Sequence, residues 1–434
     1  MDPLLVAGIG LGAMALLILL HVPVGFAMMV VGAGGFWITQ NSLMPALSLF
    51  GSEATHVFSN LELATIPLFL LMGSFANVAG LSTEIYTLAS RTIGHVRGGI
   101  ALATIGGCGV FGAVCGSSVA TAATFGRIAL PEMIGRGYAP SFAAGTVAAG
   151  GTLGAIVPPS TIMIIYAVVT HSFILDLFIA AIVPAVIAVG LYAFAIAIYL
   201  RIYPEAAPTL ERTSWRERLR AIRDSYAVVL FILIVLGGLY GGVFTVIEAA
   251  SVGTALAFGL GIVRRRLTWQ TFWQALGETA SNTAMIYLII VGAFILSYFV
   301  TVSHAAEALA AFVNGLDVAP VAVIFVLLII YLILGAISDT VSAMLITLPF
   351  VLPIIVSLGY DPIWWGIINV VVIELGMITP PIGMNVFVLH GVARDIPLAT
   401  IFRGVTPYII ADVVRLSVLT LFPGLTLWLL HAIR

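Results

Sequence analysis

Two sets of residues have the types and spacing needed to hold a bare cation at membrane depth. Pro158-Pro159 and Pro380-Pro381 interrupt apolar runs. Proline has no N–H and fixes φ, so each pair breaks a helix and leaves carbonyl oxygens without intrahelical donors. Gly150, Gly151 and Gly154 precede the first pair and Gly376 the second, giving the backbone room to unwind. Carbonyls freed inside a bilayer persist only where protein, water or an ion satisfies them. Upstream of each break lies a short polar tip, Gly116-Ser117-Ser118 and Ser338-Asp339-Thr340, offering hydroxyls, one carboxylate and half-helix ends. Half-helix C-termini and carbonyls suit a monovalent cation, and half-helix N-termini suit an anion. Each set therefore contains the parts of one cation site, with room for a substrate between the two.

The two sets are copies. Pro131, Gly137, Tyr138, Pro140, Gly154, Pro158 and Pro159 recur as Pro353, Gly359, Tyr360, Pro362, Gly376, Pro380 and Pro381, every pair 222 positions apart. A long internal repeat built around broken helices is the signature of a secondary transporter. Helix packing through small residues, as in Gly150-x-x-x-Gly154, explains the glycines but not the recurring proline pairs.

The membrane-depth charges divide into several kinds. Asp339, an acid at a tip, is expected both to cap the following half-helix and to take part in transport. Glu374 pairs by offset with Thr152, which sets it outside the shared machinery and favours a structural hydrogen bond or salt bridge. Asp412 and Arg415, at i and i+3, are expected to pair with each other, while Arg127 and Glu132 are expected to reach the interface.

Composition fixes the class. Of 434 residues, 61% are hydrophobic and only 8% charged, against about a quarter charged in soluble domains. Mean hydropathy is +1.18. Recurring apolar runs of about 18 residues or more indicate a polytopic all-α membrane protein. The short alternating segments of a β-barrel are missing. A net charge of −2 offers no basic patch for nucleic acid. Cys108 and Cys115 share one apolar segment and read as buried, inert thiols, and the seven histidines form no metal-ligand spacing. The start lacks the basic region and cleavage site of a signal peptide and reads as a retained first helix.

In chain order, residues 1–58 hold N-terminal scaffold helices, 4–20 and 24–38, bent apart at His21-Val22-Pro23 and followed by a polar stretch, 39–60. Residues 59–200 form the first repeat: a span (61–79), an amphipathic interfacial helix (81–98), a re-entrant hairpin at about 100–133, a broken helix at about 141–169 and a span (177–200). Residues 201–267 carry an arginine-rich loop and two scaffold helices, 225–240 and 243–263. Residues 268–434 form the second repeat, in which 269–279 precedes a span (284–302) and an interfacial piece (303–316). A hairpin at about 320–357, a broken helix at about 363–392 and a last span (407–430) complete it.

All 17 basic residues are arginines, and placing the 201–223 loop in the cytoplasm puts fourteen of them on that side. Both termini are then external. The first hairpin opens from the cytoplasm and the second from outside, so the repeat is inverted and the tips converge near the midplane.

At these residues the chain resembles the large membrane subunit of the TRAP (tripartite ATP-independent periplasmic) transporters, DctM-like. Gly116-Ser117-Ser118-Val119-Ala120 through Gly137-Tyr138 to Ile156-Val157-Pro158-Pro159-Ser160 is similar to that family's first hairpin and broken helix. Thr379-Pro380-Pro381-Ile382-Gly383-Met384-Asn385 is similar to its second broken helix. The chain departs from many members at Thr121, where they carry an acid. The resemblance implies sodium-coupled uptake of an organic anion across a bacterial inner membrane by an elevator movement, with Na+ as coupling ion and no other cofactor. It also implies a small four-helix membrane subunit and a periplasmic substrate-binding protein as partners. Carried over, one sodium site comprises Ser117, Ser118, Gly154 and Pro158, and the other Ser338, Thr340, Gly376 and Pro380. Asp339, with Gly116 and Asn385, falls to the substrate or coupling site. A stand-alone sodium/carboxylate symporter of related hairpin architecture is the alternative. An intramembrane enzyme is disfavoured, because no membrane-depth Ser/Lys, Asp/Asp or His/Glu constellation stands in the sequence.

Overall fold

The computed structural model describes residues 3–208, 215–316 and 318–433; Glu211 and Arg212 of the arginine-rich loop, the extreme N-terminus and Arg434 lie outside them. Among the described residues there are helices and turns but no strand. The first half comprises α1 (Pro3–Leu19), α2 (Val24–Gln40), α3 (Leu43–Ser59), α4 (Thr65–Val78), α5 (Leu81–Ile93), α6 (Gly99–Cys115), α7 (Ser118–Gly135), α8 (Pro140–Ile156), α9 (Thr161–Thr170) and α10 (Ile174–Ile202). Then come α11 (Trp215–Asp224), α12 (Tyr226–Tyr240), α13 (Val246–Val263), α14 (Trp269–Val302) and α15 (Ala305–Asn314). The chain ends with α16 (Pro320–Ile337), α17 (Thr340–Ser357), α18 (Pro362–Gly376), α19 (Met384–Val392), α20 (Leu398–Leu421) and α21 (Pro423–Ile433).

The repeat seen in the residues is also a repeat of elements. Helix α7 (Ser118–Gly135) and α17 (Thr340–Ser357) lie 222 residues apart at both ends. Gly137 and Gly359, at φ 85° and 82°, make the same left-handed turn in the two halves, a conformation that L side chains resist. Both Pro-Pro peptides are cis. Helices α6–α7 and α16–α17 are the hairpins, and α8–α9 and α18–α19 are the broken helices. Between the hairpins lie α8 with α9, α10, α13 and α14, each long and apolar enough to cross a membrane, and the shorter apolar helix α12. With α12 counted as a passage the number is odd, which brings the second hairpin in from the opposite face.

Seven described helices are long and apolar enough to cross a membrane, eight if α4 and α5, bent by 65°, count as one passage. Two of the arginines expected on one face tie helix ends and loops together. Arg264 pairs with Glu84 of α5 at 2.7 Å and donates to the Ala79 carbonyl at 3.0 Å, while Arg97 donates to the Pro204 carbonyl at 2.9 Å.

Three stretches differ from the sequence reading. The polar stretch 39–60 is largely a helix, α3, whose buried stripe of Ala46, Leu49, Glu53 and Val57 packs on α2 and α14. The separate pieces 269–279 and 284–302 are one helix, α14, started by a Thr268–Thr271 capping box; Glu278 to Thr283 lower its hydropathy without breaking it. The last span begins at Leu398 rather than Pro407, with Pro407 inside the helix, and turns at Phe422.

The helices form two packed groups. One joins α2, α3, α4, α12, α13 and α14; the other joins the hairpins, broken helices, α10 and α20, and the groups meet where α4 touches α6 and α14 touches α17. Backbone-close seams hold each group. A Cβ added to Gly32 of α2 would lie 2.7 Å from the Leu296 nitrogen of α14. In the hairpin group Gly404 of α20 packs backbone to backbone against Ser141 and Gly145 of α8. Gly404→Ala is expected to cost about 3 kcal/mol, since a backbone carbonyl cannot step aside as a flexible side chain does. A thermal melt of the purified variant in lipid nanodiscs checks this; an unchanged melting temperature would show the seam to be loose.

Candidate functional site

Each hairpin packs against the break of its own broken helix. In the first half, Gly116 closes α6 in the left-handed region at φ 65°, and its carbonyl accepts the Thr161 hydroxyl at the start of α9. The Ser117 carbonyl lies against Gly154, where an added Cβ would be 2.6 Å from that oxygen. Ser117 also caps α7, its Oγ accepting the Ala120 N–H at 3.4 Å, and its carbonyl accepts the Thr121 hydroxyl at 2.8 Å. Gly112, a turn earlier, meets the Gly154 backbone with equal closeness. Only glycine at 154 leaves space for the tip.

The second half uses the same device one turn further back. Gly376 packs on Gly335 and Ala336, where an added Cβ would lie 2.6 Å from the Gly335 carbonyl carbon. The Gly383 N–H, at φ 61°, donates to the Ala336 carbonyl at 3.2 Å. The Ser338 hydroxyl turns back to the Leu334 carbonyl at 3.1 Å. Asp339 is half-buried and caps α17, Oδ2 accepting the Ser342 N–H at 3.1 Å. Of the residues expected in the second site, Gly376 thus meets Gly335 and Ala336 of the hairpin, while the Ser338 hydroxyl bonds within its own helix. Asn385 is fully buried, and neither its side-chain oxygen nor its nitrogen has a protein partner.

Glu374, set aside by the repeat argument, sits between the tips. It is fully buried in α18, and its Oε1 accepts hydroxyls from both tips, Thr340 at 2.9 Å and Ser118 at 3.3 Å. Its repeat counterpart Thr152 shares a hydrogen bond with Tyr192 at 3.0 Å, and Tyr192 donates to Asp412 at 2.6 Å. Asp412 pairs with Arg415 at 2.9 Å, as their spacing predicts, both fully buried.

The access to the two breaks is unequal. Pro158 and Pro159 are buried, whereas Pro380 and Pro381 are exposed. A cavity of about 330 Å³ opens between α4, α7 and α14, beside the first tip. Ser117, Thr124, Arg127, Asn77 and Glu278 are among its walls. Arg127 and Glu132, both expected at the interface, thus part company: Glu132 pairs with Arg136 at 2.6 Å, while Arg127 faces the cavity. Among the described residues no three His, Cys, Asp or Glu side chains cluster as a metal site. The chemistry on offer is that of oxygen ligands for a hard monovalent cation, next to a polar chamber with one guanidinium.

Residues 11–425 match the family described as "Tripartite ATP-independent periplasmic transporter, DctM component". The chain is 36% identical over 366 residues to the C4-dicarboxylate TRAP transporter large permease protein DctM of Pseudomonas aeruginosa, covering 84% of this chain and 85% of that protein. It is 30% identical to the sialic acid TRAP transporter large permease protein SiaM of Vibrio cholerae, covering 94% of each. Among solved structures, the YdaH transporter of Alcanivorax borkumensis superposes with a TM-score of 0.61 at 17% identity, over 88% of this chain and 89% of that one. That likeness concerns the fold alone.

Proposed function

The chain belongs to the DctM component family of tripartite ATP-independent periplasmic transporters, and from that premise we propose that it imports an organic anion in symport with sodium by an elevator movement. The observation that carries this reading is the packing of each hairpin against the break of its own broken helix, through Gly116 and Ser117 in the first half and Gly335 and Ala336 in the second. Such breaks present carbonyls and hydroxyls with no cationic partner, which suits Na+. In this reading Ser117, Ser118, Gly154 and Pro158 serve one ion, and Ser338, Thr340, Gly376 and Pro380 the other. The hairpin group moves, and the group around α2, α13 and α14 stays with the membrane. Asp339, Gly116 and Asn385 line the coupling or substrate site.

The names of the relatives point to organic acids as cargo, and Arg127 in the cavity supports an anion. The partners are a small four-helix membrane subunit and a periplasmic binding protein that delivers the ligand. The assembly lies in the bacterial inner membrane with both termini of this chain periplasmic. Vesicles holding this chain and its small partner, supplied with loaded binding protein, are expected to accumulate ligand only under an inward sodium gradient. Equal uptake with potassium on both sides would overturn sodium coupling, and uptake by this chain alone would favour the stand-alone symporter.

A further inference from the structure

We propose that Glu374 is the positioning residue through which the two cation sites sense each other; this rests on the sodium-coupled reading above. One carboxylate oxygen, Glu374 Oε1, accepts Ser118 from the first tip and Thr340 from the second. These hydroxyls belong to opposite halves of the inverted repeat, 256 and 34 residues from the acid. A hydroxyl that donates its only proton to Glu374 turns its lone pairs away from it. The acid thereby orients one candidate ligand in each site for a cation before either ion arrives.

The remaining oxygen, Oε2, is buried and has no protein partner. Among the described residues no basic group lies within ion-pair distance of Glu374; the nearby chemistry of that kind, Arg415, is committed to Asp412. A buried carboxylate without a counter-charge is costly. A cation at either tip relieves that cost and, through the shared oxygen, fixes the hydroxyl of the other tip. Ordering paid for by the first ion is then not paid again by the second, which is positive cooperativity. The repeat counterpart, Thr152, carries no charge and bonds Tyr192 instead, so the device exists once per molecule rather than once per half. A single acid that takes one hydroxyl from each half is what a shared sensor requires.

The test is the sodium dependence of the melting temperature of the full chain in lipid nanodiscs, with choline holding ionic strength constant. The unsubstituted chain is expected to show a Hill coefficient approaching two. Glu374→Met, similar in length but with no acceptor oxygen, is expected to bring it to about one. Glu374→Gln keeps an acceptor oxygen and loses the charge, so it should keep cooperativity while the half-saturating sodium concentration rises about tenfold. A merely structural role would lower the melting temperature at every sodium concentration and leave the Hill coefficient alone. Undiminished cooperativity in Glu374→Met, or unchanged sodium affinity in Glu374→Gln, would overturn the proposal, and the second remains readable if the methionine variant does not fold. A sodium effect with a Hill coefficient of one in the unsubstituted chain sinks this inference alone. No sodium effect at all sinks the sodium-coupled reading with it.

Discussion

An Asp339→Asn chain is expected to reach the membrane and melt within about 1 °C of the unsubstituted protein, yet to lose at least about 100-fold of its uptake. The two halves of that expectation come from two properties of one side chain. As the cap of α17, Asp339 accepts the Ser342 N–H at 3.1 Å, and asparagine caps a helix about as well as aspartate. Stability should therefore survive. The negative charge does not, and losing a charge that the coupling ion or substrate meets in the proposed cycle costs on the order of 3 kcal/mol. Asp339→Ala separates the roles further, because it removes the cap too and should lower stability by about 1 kcal/mol. Sodium-driven uptake at the normal rate by the asparagine variant would remove Asp339 from the mechanism.

Arg415→Met is expected to destabilise the chain by about 3–5 kcal/mol, the largest stability effect of any single change considered. Arg415 is fully buried in α20, 2.9 Å from Asp412, whose other oxygen takes the Tyr192 hydroxyl at 2.6 Å. Removing the guanidinium leaves a carboxylate inside a protein interior that is itself inside a bilayer. The companion result is more telling. Arg415→Met combined with Asp412→Leu should recover most of the loss, since replacing both charges spares their desolvation. Melting the single and double variants in the same lipid checks it. A double variant as unstable as the single would mean that the pair's hydrogen bonds, and not its charge balance, hold α8, α10 and α20 together.

The broken helices, hairpins and their inversion were legible because prolines and glycines report backbone geometry directly, wherever the chain goes. Pro158-Pro159, Gly137 and Gly359 needed no knowledge of neighbours. Side-chain partnerships did need it. Glu374 was set aside because its offset partner is Thr152, a comparison along the chain; its real partners, Ser118 and Thr340, come from the two tips and are visible only once both halves are folded together. Asp412 and Arg415 were readable because a helix places i and i+3 together by itself. Helix α3 left a signal that polar composition masked: Ala46, Leu49, Glu53 and Val57 fall on one stripe at helical spacing. The unity of α14 was hidden the same way, by polar residues that end an apolar run but do not end a helix.

The unequal exposure of the two proline breaks has one more meaning. Pro158-Pro159 is enclosed while Pro380-Pro381 is open, although the halves share their elements at one offset. A duplicated chain folded this way is a lopsided drawing of a symmetric object, and every lopsided drawing has a mirror. In the transport cycle proposed above, the mirror conformer needs no new chemistry: each half takes the path now followed by the other, so that the first break opens as the second closes. On that proposal the duplication stores two shapes in one sequence, of which this structure is one.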